Sequence, residues 1–166
     1  MNWSRLWRHA ITGGSAFRQA FSPEVIQDIT NAVAASEVRH CGELRFVIER
    51  ALPLPALLAG QSARARALEL FSFHRVWDTE QNSGVLIYVL FAERQVEIVA
   101  DRGIHARVPS GTWDHIVGQM TSDYAAGRFG AGSVAGVRAV GDLIAAAWPV
   151  GQNDSNELPN APLLLG

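Results

Sequence analysis

The sequence predicts an α/β protein of a single domain, a three-layer α/β/α sandwich in which helices cover both faces of a small mixed β-sheet. Three observations predict this class. Helical and strand patterns follow one another in the order helix, strand, helix, strand, strand, helix, helix. Residues 85–92 are apolar throughout, as in a central strand covered on both faces. A length of 166 residues suits one domain with a full core.

The first element is a basic and aromatic helical segment over residues 1–20. Trp3, Leu6 and Trp7 fall on one face of a short helix, and the glycine pair at 13–14 predicts a break. A helix that carries Trp and Arg can pack against its own domain or lie at a membrane surface. Packing on the domain is the simpler expectation, and peripheral membrane contact through these three residues is the alternative.

A helix with clear start signals follows over residues 22–39. Ser22 is a good N-cap, Pro23 suits the first helical position, and Glu24 complements the helix N-terminus. Residues 44–49 then alternate between apolar and polar side chains, which predicts the first strand.

The middle of the chain predicts a helix and two strands. Residues 62–77 have apolar side chains on more than one face, which indicates a buried helix. The apolar strand 85–92 follows, with a short turn at 93–94 and an alternating strand over 95–101.

Two further helices are predicted before the C-terminal tail. Ser110 is the expected cap of the first, which ends at Gly127, and the second covers about 131–147 before Pro149. The organisation is therefore a helical segment at 1–20, a domain at 21–149 and a tail at 150–166. The Pro-rich, Leu-containing tail can dock on the fold or remain disordered.

Composition excludes several classes of protein. The 14 basic residues are all Arg, against 16 Asp and Glu, for a formal net charge of −2, which gives no overall field to attract nucleic acid. A single Cys excludes a disulfide-stapled secreted fold. The sequence shows neither a signal-peptide pattern nor an apolar run approaching the ~18–20 residues that span a bilayer. We therefore expect a cytoplasmic protein.

The predicted topology brings acidic residues to one edge of the sheet. The first two strands should be parallel, since a helix connects them, and the hairpin makes the third antiparallel to the second. The start of strands one and two and the end of strand three then share an edge. Five oxygen-bearing side chains lie at these points in the sequence: Glu43, Asp78, Glu80, Asn82 and Asp101.

Two interpretations of this acidic edge remain open. Carboxylates that are brought together repel one another unless a positive charge compensates. A hard divalent cation, Ca²⁺ or Mg²⁺, would supply it, because such ions prefer carboxylate and amide oxygens. Simple ion pairs with Arg102 and Arg107 are the other solution, and caps and ion pairs are the more common role of acidic residues in loops.

Several segments resemble the TPM domain family, which is named after a thylakoid lumen protein, a photosystem II protein and a nematode receptor modulator. The main ones are Asn-Ser-Gly-Val-Leu-Ile-Tyr-Val at 82–89 and Val-Glu-Ile-Val-Ala-Asp-Arg-Gly-Ile at 96–104. Others resemble the stand-alone bacterial branch, and they lie at 36–44, 67–71, 113–120, 127–132 and 156–160. The resemblance covers about residues 22–160.

The resemblance implies an α/β/α sandwich and divalent-cation binding at acidic loops on one edge of the sheet. Carried over by position, the candidate metal residues are Glu43, Asp78, Glu80, Asn82 and Asp101. The leading hypothesis is thus a TPM-like domain that binds Ca²⁺ or Mg²⁺ and regulates or assists a protein partner of unknown identity.

The resemblance also implies an alternative, since an acid phosphatase activity is proposed for plant members of the family. In a metal-assisted phosphomonoesterase of this kind, Asp101 and Arg102 are the candidate catalytic residues. A scaffold that uses the N-terminal helix or the Leu-rich tail to hold a partner, or the N-terminal helix to contact a membrane surface, is a third hypothesis.

Overall fold

The structure, a computed structural model, describes residues 3–79, 82–109, 111–149 and 158–166. Its helices, in chain order, are α1 Trp3–Ile11, α2 Gly14–Ala20, α3 Pro23–Glu37, α4 Leu54–Leu58, α5 Ala63–Phe73, α6 Arg102–His105, α7 Thr112–Ala125 and α8 Phe129–Ala147. Its strands are β1 Leu44–Glu49, β2 Val85–Leu90, β3 Gln95–Ala100 and β4 Leu163–Leu165. A short 3₁₀ turn, Phe91–Glu93, connects β2 to β3.

The four strands form one mixed sheet in the order β3-β2-β1-β4. β1 and β2 are parallel, with Leu44 opposite Val85, and β2 and β3 are antiparallel, with Val85 opposite Ala100. β4 pairs parallel with β1, with Val47 opposite Leu163. The C-terminal segment, for which the sequence left two possibilities open, therefore docks as the fourth strand.

Helices cover both faces of the sheet, which confirms the predicted three-layer sandwich. On one face, α3, α7 and α8 pack against the side of β1 that carries Leu44, Phe46 and Ile48. On the other face, α5 and the C-terminal segment pack against Val47 and Tyr88. β1 and β2 are buried along their whole length, as expected of strands between two helical layers.

The differences from the predicted elements lie at their ends. α5 ends at Phe73 rather than at residue 77, and Arg75 then takes a left-handed conformation (φ 52°) that turns the chain. Arg94, with φ 51°, closes the β2–β3 connection where a glycine is usual. The N-cap position of α7 is Gly111, and the predicted cap Ser110 lies outside the described residues. The short helices α4 and α6 carry too few residues to show a helical period.

α8 is the helix that bears on the expectation that no segment spans a membrane. Among the described residues it is the one helix long and apolar enough to cross a bilayer, with a mean hydropathy of 1.2 over its best window. Its residues Val137, Val140 and Ile144 are fully buried in the core that α8 shares with α3 and α7. The core of the domain thus accounts for the apolar side of this helix.

Close contact between α7 and α8 depends on Gly136. A Cβ atom at this position would overlap the Met120 side chain, including Cγ at 2.8 Å, and Met120 is itself buried. We expect Gly136→Ala to lower the free energy of unfolding by about 1–3 kcal/mol. Gly118, also on α7, has no atom within 4 Å of an added Cβ. Gly118→Ala should therefore stabilise by up to about 1 kcal/mol through helix propensity. Urea denaturation measures the free energy of unfolding of both variants, and equal changes in the two would contradict the packing argument.

Candidate cation site at the sheet edge

Backbone hydrogen bonds bring three of the predicted segments to one edge of the sheet. The Val85 amide donates to the Glu43 carbonyl oxygen at 2.8 Å, and the Asp101 amide donates to the Gly84 carbonyl oxygen at 2.9 Å. Residues 43, 84 and 101 therefore lie side by side, directly before β1, before β2 and after β3.

The two carboxylate oxygens of Asp101 have different surroundings. It occupies the N-cap position of α6, where Oδ1 accepts a hydrogen bond from the Arg102 amide at 2.7 Å. Oδ2 is buried and has no hydrogen-bond donor among the described residues. A buried oxygen of this kind usually has a partner, because leaving it without one costs free energy.

Asn82 and Arg102 lie beside this carboxylate. The Arg102 guanidinium donates from Nη2 to Asn82 Oδ1 at 3.2 Å, while its own amide holds Asp101. Asn82 has a left-handed backbone (φ 52°), and its amide donates to the Thr79 carbonyl oxygen at 3.1 Å. The Thr79 hydroxyl accepts from the Ser83 amide at 2.9 Å. These bonds of Asn82 and Ser83 to Thr79 thus hold the Asn82 backbone close to Arg102.

The Glu43 side chain is directed to the C-terminal segment. Glu43 is buried, and its Oε2 accepts from the Leu158 amide at 3.0 Å. Arg45, on the same face of β1, donates from Nη1 to the carbonyl oxygens of Pro159 at 2.7 Å and Ala161 at 2.9 Å. These two side chains hold the C-terminal segment beside β1. This role has no local signal in the sequence, since the contacts join residues more than 110 positions apart.

The other predicted residues have different surroundings. Asp78 is exposed, with a carboxylate oxygen 3.8 Å from the guanidinium of Arg75. Glu80 lies outside the described residues. Arg107, one of the two expected ion-pair partners, stacks over the ring of Trp148 at 3.5 Å and donates to the Ala147 carbonyl oxygen at 2.9 Å.

The described part of the chain contains no group of three or more His, Cys, Asp and Glu side chains that could hold a metal ion. What the described edge offers is therefore a smaller set of oxygens: the unpartnered Asp101 Oδ2, the Asn82 side-chain oxygen, and backbone carbonyls. Such a set suits a hard cation that keeps part of its water shell.

Comparisons with known proteins identify the family of the chain. No curated protein matches the sequence. The fold is similar to the NMR structure of the BA42 protein from the psychrophilic bacterium Bizionia argentinensis, with a TM-score of 0.75 and 26% sequence identity over 86% of this chain and 94% of that one. The family model of the TPM domain matches residues 15–143. The chain therefore belongs to the TPM domain family.

Proposed function

We propose that this TPM domain binds a divalent cation, Ca²⁺ or Mg²⁺, at the sheet edge through Asp101 and Asn82, and that the bound ion regulates or assists assembly with a protein partner. The observation that carries the proposal is the buried Asp101 Oδ2, which has no donor among the described residues. A hard cation would supply the missing partner, because Ca²⁺ and Mg²⁺ take carboxylate and amide oxygens as ligands.

The residues next to Asp101 support the same interpretation. Arg102 donates a single hydrogen bond to the Asn82 side-chain oxygen at 3.2 Å, and a cation that binds this oxygen can replace it. Asp101 is anchored by its backbone on both sides, to Gly84 and to the first turn of α6. Its carboxylate is therefore held in place by the fold before any ion arrives, which lowers the entropic cost of binding.

Isothermal titration calorimetry with Ca²⁺ and with Mg²⁺ tests the proposal. We expect heat of binding for the wild-type chain. The affinity of Asp101→Asn should be weaker by about tenfold or more, because this variant keeps the shape of the side chain but removes its charge. Asp28→Asn is the matched control, because Asp28 is an exposed carboxylate on α3.

Two outcomes would contradict the cation site. One is the absence of heat for the wild-type chain at millimolar ion. The other is an affinity that is the same in wild type and in Asp101→Asn, because binding would then take place elsewhere. An equal loss of cation affinity in Asp28→Asn would show that the effect comes from net charge rather than from this site.

A metal-assisted phosphomonoesterase is the second candidate function. The observation that favours it is the exposed Arg102 guanidinium beside Asn82, where it could stabilise the oxygens of a phosphoryl group next to the ion. Turnover of p-nitrophenyl phosphate that is lost in Asp101→Ala would support this activity. Turnover that is unchanged in that variant would assign it to a contaminant.

A further inference from the structure

Helix α1 is attached to the domain by its polar side. Arg5 Nε donates to Glu93 Oε1 at 2.5 Å, and His9 Nε2 lies 2.6 Å from the same oxygen. His9 is buried and accepts a hydrogen bond from the Leu52 amide on Nδ1 at 3.1 Å, so its proton is on Nε2 and points to Glu93. The polar face of this amphipathic helix thus faces the protein.

The apolar side of α1 consequently faces outward. Trp3 is 71% exposed and Trp7 68% exposed, and Ile11 continues the same stripe one turn further along. Leu6, which the sequence placed on the same face, is half-buried. This is the reverse of the usual arrangement, in which a surface helix buries its apolar stripe. The outward stripe therefore adds nothing to the core of the described domain.

A second exposed apolar surface lies beside α1. Leu54 and Leu58 of α4 are both more than half exposed. The residues on either side of α4 contact α1, since Leu52 bonds to His9 and the Gln61 carbonyl oxygen accepts from Arg5 Nη2 at 2.7 Å. The two helices therefore present neighbouring apolar side chains, which we call the α1/α4 face: Trp3, Trp7, Ile11, Leu54 and Leu58.

The charge around the α1/α4 face is positive. Residues 3–20 and 50–66 contain six arginines and no Asp or Glu. Arg5, Arg64 and Arg66 have carboxylate partners from elsewhere in the chain, which are Glu93, Glu97 and Glu49 respectively. Arg8 and Arg18 are exposed. An apolar stripe with Trp, on segments that contain arginines and no Asp or Glu of their own, matches the interface of a bilayer that carries negative lipid headgroups.

From these observations we propose that the α1/α4 face docks the protein on an anionic lipid surface. The face lies beyond the C-terminal ends of β1 and β2, and the cation site lies at their N-terminal ends. Docking would therefore leave the cation site at the edge of the sheet away from the membrane. The two proposals are independent of each other.

Flotation of the full chain with lipid vesicles tests this proposal. One set of vesicles contains phosphatidylcholine mixed with phosphatidylglycerol, and the other contains phosphatidylcholine alone. We expect the protein to float with the mixed vesicles only. The partition coefficient of the double variant Trp3→Ser/Trp7→Ser onto these vesicles should be lower by about tenfold or more. Phe73→Ser is the matched control, because Phe73 is an aromatic residue 79% exposed on α5, outside the α1/α4 face.

The variants should all keep the wild-type circular dichroism spectrum, since the altered side chains are exposed. Flotation with both kinds of vesicle, flotation that the double variant retains, or no flotation of the wild-type chain would each overturn the proposal. Self-association of the wild-type chain in analytical ultracentrifugation, lost in the double variant and without vesicle binding, would assign the face to a second copy of the chain instead.

Discussion

Replacing Glu49 with alanine is expected to lower the free energy of unfolding by about 3–5 kcal/mol, the cost of breaking a buried ion pair from one side. Glu49 lies at the end of β1 and is 2% exposed. Arg66 of α5 donates to both of its carboxylate oxygens, at 2.8 and 3.0 Å, and the Tyr88 hydroxyl donates to Oε2 at 2.7 Å. Burial, and next the hydrogen bond to Glu49, raise the pKa of the Tyr88 hydroxyl far above its usual value.

The large effect follows from what Glu49→Ala leaves behind: a largely buried guanidinium without its main counterion and a buried hydroxyl without its acceptor. Glu69→Ala is the matched control, because Glu69 pairs with the same Arg66 at 3.1 Å but its side chain is 54% exposed. An exposed pair of this kind is worth about 0–1 kcal/mol. Guanidinium chloride denaturation measures the free energy of unfolding of both variants. A similar small decrease in each would show that burial of the Glu49–Arg66 pair adds little to stability.

Gly84→Ala is expected to cost about 3 kcal/mol of stability and to weaken cation binding together with it. Gly84 precedes β2 and lies against the backbone of Val76, which follows α5. An added Cβ would overlap the Val76 carbonyl group, with its carbon at 2.9 Å. Because these are backbone atoms, no side-chain rotation relieves the clash, and the backbone at Val76 or at residue 84 must move.

Gly13→Ala provides the comparison for this substitution. Gly13 has an extended backbone (φ −71°, ψ 143°), and an added Cβ would make only an ordinary contact of 3.6 Å with Ser15. A change there should be within about 0.5 kcal/mol of wild type. Thermal unfolding in the presence and absence of Ca²⁺ separates the two effects. If Gly84→Ala kept wild-type stability, the close approach of the loop to β2 would be refuted.

Much of the fold was predictable because its signals are local. The alternation at 44–49, the apolar run at 85–92 and the cap at Ser22 each lie within a few residues of the element that they define. β4 was not predictable in this way. Its three leucines pair with Val47–Glu49, more than 110 positions away, and a run of three apolar residues has no periodicity of its own.

The candidate site was predictable in its backbone more than in its side chains. Parallel pairing of β1 with β2 and antiparallel pairing of β3 place Glu43, Gly84 and Asp101 at one edge. Where a carboxylate points depends on its partners, and the partner of Glu43 is the amide of Leu158 in a segment of unpredicted position. The orientation of α1 was not predictable for a similar reason: Arg5 and His9 bond to Glu93 of the β2–β3 connection, and the tryptophans face outward.

Paramagnetic broadening by Mn²⁺ in ¹H–¹⁵N correlation spectra tests the cation site most directly. Mn²⁺ takes the same oxygen ligands as Ca²⁺ and Mg²⁺ and broadens the amide signals nearest to it. We predict that the signals of Gly84, Asp101 and Arg102 are lost first, that excess Ca²⁺ or Mg²⁺ restores them, and that Asp101→Asn prevents the loss. First loss of signals around a different group of acids, or uniform broadening that Asp101→Asn does not change, would contradict a cation site at this edge of the sheet.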